Sequence, residues 1–202
     1  MLARVERSVY NDCMKSDEKP SESLPPRERI LVAAHILFYR EGIRATGVDK
    51  IIDQSSVSKV TFYRQYASKD DLIRAYLDYR HEKWISWFQT CLAQATGRGS
   101  SAAEALVATL GAWFSQPDFR GCAFLNAAAE LGSSEPEILE TVRRHKQKMS
   151  SVLDSIFAGD AVSAGMRLSL LIDGAIVHAQ MGQPVDEVME NFRTSVEGIL
   201  GK

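Results

Sequence analysis

Three helix-start signals fall between residues 46 and 68, and that crowding constrains the fold more than any other feature of the chain. Thr46-x-x-Asp49 has the form of a capping box, opening a helix whose apolar face is Val48, Ile51 and Ile52. Ser58 can cap the helix that carries Thr61 to Tyr66. Ser68-x-x-Asp71 precedes Leu72 and Ile73, at the head of a long helix running on through Tyr76, Leu77, Trp84, Ile85 and Phe88. Starts this close together leave room only for short helices and tight turns. Upstream, Ile30, Ala33, Ala34, Leu37 and Phe38 form an apolar stripe at helical spacing, which Gly42 stops. A short helix, a tight turn and a second short helix packed on a third make a helix-turn-helix.

The second short helix divides its residues between two tasks. Phe62 and Tyr66, with Val57, are predicted to pin it to Ile51, Ile52, Leu37 and Phe38. That leaves Lys59, Val60, Thr61, Tyr63 and Arg64 turned outward, toward the major groove of a duplex. Lysine and arginine neutralise phosphates or contact guanine, the hydroxyls of Thr61 and Tyr63 can donate to phosphate oxygens, and Val60 suits a thymine methyl. Lys69 sits in the first turn of the next helix, where a cation opposes the helix dipole but can join free backbone N–H groups in holding a phosphate. Charge is distributed accordingly. Residues 1–26 sum to −1, residues 27–70 to +3 and residues 71–202 to −4, within an overall −2. A mildly basic block ahead of an acidic remainder suits a polyanion-binding head on a body of another kind.

Residues 29–73, RILVAAHILFYREGIRATGVDKIIDQSSVSKVTFYRQYASKDDLI, closely resemble the DNA-binding domain of TetR-family transcription regulators. The resemblance rests on the AA-x-x-LF core of the first helix, Gly42, the small residues before Val48, Ile51, V-S before the recognition helix, T-x-Y within it and S-K-D-x-L after it. It extends weakly through FRGCAFLNAAAE (119–130) and LLIDGAIVHAQ (170–180). It implies that Lys59, Val60, Thr61, Tyr63 and Arg64, with Ser58 at their head, serve as the recognition helix. It also implies that Lys69 clamps the DNA backbone, and that Thr46 and Gly47 approach phosphate at the start of the second helix. The chain departs from the family at Ser56, usually glycine, at Gln65, often histidine, and at Tyr66, usually phenylalanine. If residue 56 needs a positive φ, serine costs roughly 1 kcal/mol relative to glycine.

The family resemblance also implies a C-terminal body with a small-molecule pocket and a dimer interface. Trp84, Trp87, Phe88, Trp113, Phe114 and Phe124 supply apolar walls, and Asn126 and Glu130 polar anchors; the same aromatics can equally fill a core. Residues 166–181 are apolar on more than one face, and 185–200 carry a strong apolar stripe. Leu171, Ala175, His178, Val188, Phe192 and Val196 are therefore expected at the dimer seam of a four-helix bundle, with a core inside the chain as the alternative. Cys122, at a helix start, is either an inert buried thiol or a redox or electrophile sensor.

Helical patterning continues over 102–114, 122–131, 137–157, 166–181 and 185–200, broken by TGRGSS (96–101) and QPDFRG (116–121), with no strand-like alternation. The expected architecture is all-α with about nine helices: a flexible arm over 1–26, a three-helix DNA-binding domain over 27–71, and a ligand-binding and dimerisation domain over 72–202. At 202 residues, with 45% hydrophobic and 25% charged content, the chain can build its own core. Its three cysteines show no paired spacing, and the four histidines no metal-binding spacing, so neither a disulfide framework, a metal nor a cofactor is expected. With no secretory or membrane-spanning segment, it reads as cytoplasmic. The sequence reading is thus a repressor that binds an operator in double-stranded DNA as a homodimer and is released by a small, mostly apolar effector. A helical enzyme using the aromatic pocket is the rival, but no nucleophile–base set or phosphate loop accompanies it.

Overall fold

The computed structural model describes residues 20–157 and 164–200, which form nine α-helices without a strand among them. They are α1 (Pro26–Glu41), α2 (Val48–Ser55), α3 (Lys59–Gln65), α4 (Lys69–Gly97), α5 (Ala102–Phe114), α6 (Ala123–Leu131), α7 (Pro136–Ile156), α8 (Ala164–Gln180) and α9 (Val185–Leu200). The all-α expectation holds, with ends moved by one or two residues and α4 running on into what was expected to be loop. Of the expected arm, residues 1–19 and with them Cys13 lie outside the described residues.

Contacts divide the chain into two compact units: the described part of Lys15–Glu82 with Ala123–Val142, and Lys83–Cys122 with the described part of Arg143–Lys202. The first holds α1, α2, α3, the first half of α4, α6 and the start of α7. Pro26 opens α1 at a position where a missing N–H costs nothing, and Gly42, at φ 93° and ψ 154°, closes it by donating its N–H to the Phe38 carbonyl. From Ala33 to Tyr39 the helix is buried all round, because α2 and α3 both pack on it. Ile51, Phe62, Tyr66, Leu72 and Ile73 complete this small core.

Two of the three start signals cap as expected. Ser58 Oγ accepts the Thr61 N–H at 3.1 Å, and Ser68 Oγ accepts the Asp71 N–H at 3.0 Å. The first differs. Gly47 holds the cap position of α2 with no side-chain cap. Thr46 is one residue too early and turns inward, its Oγ1 donating to the Gly42 carbonyl at 2.7 Å and lying 3.4 Å from the Leu37 carbonyl. The hydroxyl therefore closes the α1–α2 turn instead of starting α2. Between α2 and α3, Ser56 adopts φ 52° and ψ 44°, the left-handed conformation that favours glycine.

The second unit combines the rest of α4 with α5, most of α7, α8 and α9, and α9 packs on both α8 and α5. Ser101 and Glu104 form a complete capping box at the head of α5. Trp84, Trp87, Phe88, Trp113 and Phe114 are all buried here. Among the described residues, no helix is long and apolar enough to cross a membrane.

Candidate nucleic-acid interface

α3 is seven residues long and presents two opposed faces. Phe62 is fully buried, and Tyr66, just past the helix end, nearly so. On the other side Val60 is 78% and Tyr63 47% exposed, and Lys59 and Arg64 are exposed beside them. A valine this bare buries little of its apolar surface in the fold, and that surface faces outward with the two cations. Lys59 pairs with Asp49 of α2 at 3.5 Å, with both side chains well exposed; a pair of that kind contributes little and is readily exchanged for a phosphate. Ser58 and Thr61 share a hydroxyl–hydroxyl hydrogen bond at 2.9 Å, which occupies both groups in the cap.

The backbone contacts expected nearby are arranged differently from one another. Thr46 is buried, so its side chain faces away from any ligand, whereas Gly47 is exposed with open space around its Cα. Lys69 reaches back to the α1–α2 turn, its Nζ donating to the Ile43 carbonyl at 2.6 Å and lying 5.9 Å from the Phe38 ring centre. Partial burial lowers the pKa of Lys69, against the attraction of Asp70 and Glu130.

Two arginines with no part in the sequence reading hold this platform. Arg27 Nη1 donates to the Gln65 carbonyl at 2.6 Å, while its guanidinium lies 4.4 Å from the Tyr66 ring centre. Arg29 Nη2 donates to the Ser56 carbonyl at 3.2 Å. Each cation sits at the C-terminal end of a short helix, where it complements the helix dipole and satisfies an open carbonyl. The partners lie 38 and 27 residues away in sequence, so no local signal could reveal them.

The expected pocket residues are distributed over both units. In one, Trp84 stacks on Phe88 at 4.7 Å and meets Trp113 edge-on at 5.7 Å, and Trp113 continues to Phe114 at 5.6 Å. In the other, Phe124 sets its ring 6.4 Å from that of His81, Asn126 lies half-buried on α6, and Glu130 accepts the Arg44 backbone N–H at 2.8 Å. Cys122 is buried beside Lys146, whose ammonium hydrogen-bonds both the Cys122 sulfur and Asp173. Burial works against the charge on Lys146. The sulfur and the carboxylate outweigh it, and the lysine pKa lies above its ordinary value.

Of the residues expected at a dimer seam, Val188, Phe192 and Val196 are buried within the chain's own fold, as is Ala175, while Leu171 is half-buried and His178 exposed. α8 instead bares a stripe that the sequence reading did not single out. Met166, Leu170 and Val177, with Met181 just past the helix end, are between 43% and 64% exposed, at spacings that keep them on one side. Beside it a groove of about 380 Å³ runs between α8 and α9, lined by Leu170, Leu171, His178 and Phe192 among others.

The family model for bacterial regulatory proteins of the tetR family matches residues 30–76. The crystal structure of SCO4454, a TetR-family transcriptional regulator from Streptomyces coelicolor, is 34% identical, covers 87% of this chain and 94% of that one, and superposes with a TM-score of 0.74. The HTH-type transcriptional repressor ComR of Escherichia coli is 20% identical over 84% of this chain and 87% of its own length. The HTH-type transcriptional activator FasR of Mycolicibacterium smegmatis is 33% identical over 35% of this chain and 32% of its own. These relatives are transcription regulators, not enzymes.

Proposed function

The chain belongs to the TetR family of bacterial transcription regulators, and from that premise we propose that it is a cytoplasmic, homodimeric repressor released from its operator by a small, mostly apolar molecule. The observation that carries the DNA side is the outer face of α3, where a bare valine and a half-exposed tyrosine stand between two cations on a helix locked from behind. Val60 and Tyr63 would meet base edges and sugar while Lys59, Arg64 and Lys69 neutralise phosphates. One such helix spans too few base pairs to be selective, and two on a dimer read half-sites about one helical turn of DNA or more apart. The bare stripe of α8 supports that dimer. The effector would act in the body near Trp84, Phe88, Trp113 and Phe114, changing the spacing of the two heads with a coupling of about 1–3 kcal/mol.

The decisive experiment is to sequence the genomic fragments that the pure protein retains, and then to titrate the enriched duplex with salt. A shared inverted-repeat element and a steep loss of affinity with salt are expected, at roughly −0.9 per neutralised phosphate on a log–log scale. Random fragments, or affinity indifferent to salt, would refute the reading. A second reading has one observation in its favour, the contact of Cys122 with the Lys146 ammonium. Modification of that thiol would take away a partner of a buried cation and disturb the α7–α8 contact through Asp173, making the protein a redox or electrophile sensor. A thiol-alkylating reagent would then release DNA from the wild type but not from Cys122→Ser.

A further inference from the structure

One carboxylate in the head unit does something its own helix does not require. Glu130 is the penultimate residue of α6, at the end where the helix dipole disfavours a negative charge. Its side chain leaves the helix for the turn between α1 and α2, where Oε2 accepts the Arg44 N–H at 2.8 Å. Gly42 leaves the space for it: a Cβ on that residue would stand 3.3 Å from Oε2 and 3.4 Å from Oε1. The positive φ of Gly42 would in any case strain a larger residue there.

The same turn is gripped twice more, by Lys69 Nζ on the Ile43 carbonyl at 2.6 Å and by Thr46 Oγ1 on the Gly42 carbonyl at 2.7 Å. Residues 42–46 thus carry contacts from three side chains, two of them charged and of opposite sign. Gly47 and the open N–H groups of α2 come directly after this turn in the chain.

We propose that Glu130 is a positioning residue for operator binding, its carboxylate fixing the 42–46 turn and with it the place of the α2 N-terminus and the Lys69 ammonium. The proposal rests on the DNA-binding reading of the head. A carboxylate accepting a backbone N–H orders that peptide more firmly than a neutral acceptor does. Arg44 is exposed, so water replaces the lost acceptor when the side chain is cut back, and the fold survives while the turn loosens. Charge and position have opposite signs here. As a negative group near the DNA-facing turn, Glu130 repels phosphate, and its removal on charge alone would raise affinity. As the post that holds the turn, its removal lowers affinity.

Wild type, Glu130→Ala and Glu130→Gln are compared, as full-length proteins, for binding to the enriched fragment and to a random duplex at matched salt. Hydrogen exchange is followed at the Arg44 amide. Glu130→Ala is expected to weaken both duplexes by roughly tenfold, the scale of one hydrogen bond to a charged group, and to speed exchange at Arg44. Glu130→Gln keeps an acceptor oxygen without the charge, and should recover most of the affinity and part of the protection at Arg44. Glu130→Ala binding as tightly as wild type, or Glu130→Gln as weak as Glu130→Ala, overturns the proposal. A wild type that retains no duplex instead brings down the DNA-binding reading and this proposal with it.

Discussion

α3 and α8 both leave apolar side chains in water, and they do so in opposite company. On α3 the bare Val60 is flanked by Lys59 and Arg64, with half-exposed Tyr63 on the same outer face. On α8 the bare residues are Met166, Leu170 and Val177, continued by Met181 just past its end, and they recur along one side. An isolated apolar group among cations has little area to bury and much charge to neutralise, as a polyanion with a few methyl groups would require. A stripe spread over several turns has more apolar area, and the one carboxylate along it, Asp173, is already paired with Lys146, which suits a second copy of itself. Exposure alone says little, and the neighbours of an exposed group say what it is for.

The strongest way to break this contrast is to place a charge in the stripe. Leu170→Glu should turn a dimer into a monomer at micromolar concentration in sedimentation, weakening association by on the order of a hundredfold or more because an unpaired charge would be buried. A wild type that sediments as a monomer would end the α8 half of the comparison. The next largest effects belong to the cations of the head. Lys59→Ala should lower operator affinity about tenfold, reduce the salt slope by roughly 0.9 and blur base preference, whereas Lys69→Ala should weaken all duplexes alike. Val60→Ala should cost about 1 kcal/mol on the operator, the value of a buried methyl or two, and nothing on a random duplex. Replacing the contacted thymine by uracil should reproduce that loss. Smallest is Ser56→Gly, which relieves the left-handed serine and should raise stability by roughly 1 kcal/mol, seen as about 2–4 °C in Tm, with little change in base preference.

Much of the head was legible because its signals are local. Caps at Ser58 and Ser68, the stop at Gly42 and the outward set on α3 follow from spacing within one or two turns, and the positive φ of Ser56 from a departure at a single position. Thr46 shows the limit of such reading: a capping pattern can slip by one residue when a hydroxyl finds a better acceptor across the turn. What joins distant segments was not legible. Arg27, Arg29 and Glu130 each bond a backbone group that only tertiary structure brings near. The same holds for α9, where periodicity identified an apolar face at Val188, Phe192 and Val196 but could not say that α5 and α8 of the same chain cover it. α8 was apolar on too many sides for the exposed stripe to stand out by pattern.

The packing of Trp84, Trp87 and Trp113 has a consequence for spectroscopy. These are all the tryptophans in the chain, and their rings lie 5.7–6.1 Å apart, centre to centre, within one unit. Rings this close exchange excitation energy, so tryptophan emission reports on the surroundings of this one cluster. Emission excited at the red edge of absorption, beyond tyrosine, arises from this unit. Among the described residues the tyrosines, Tyr39, Tyr63, Tyr66, Tyr76 and Tyr79, belong to the other unit. Tryptophan emission thus reports on one unit, without a label, as the protein is melted.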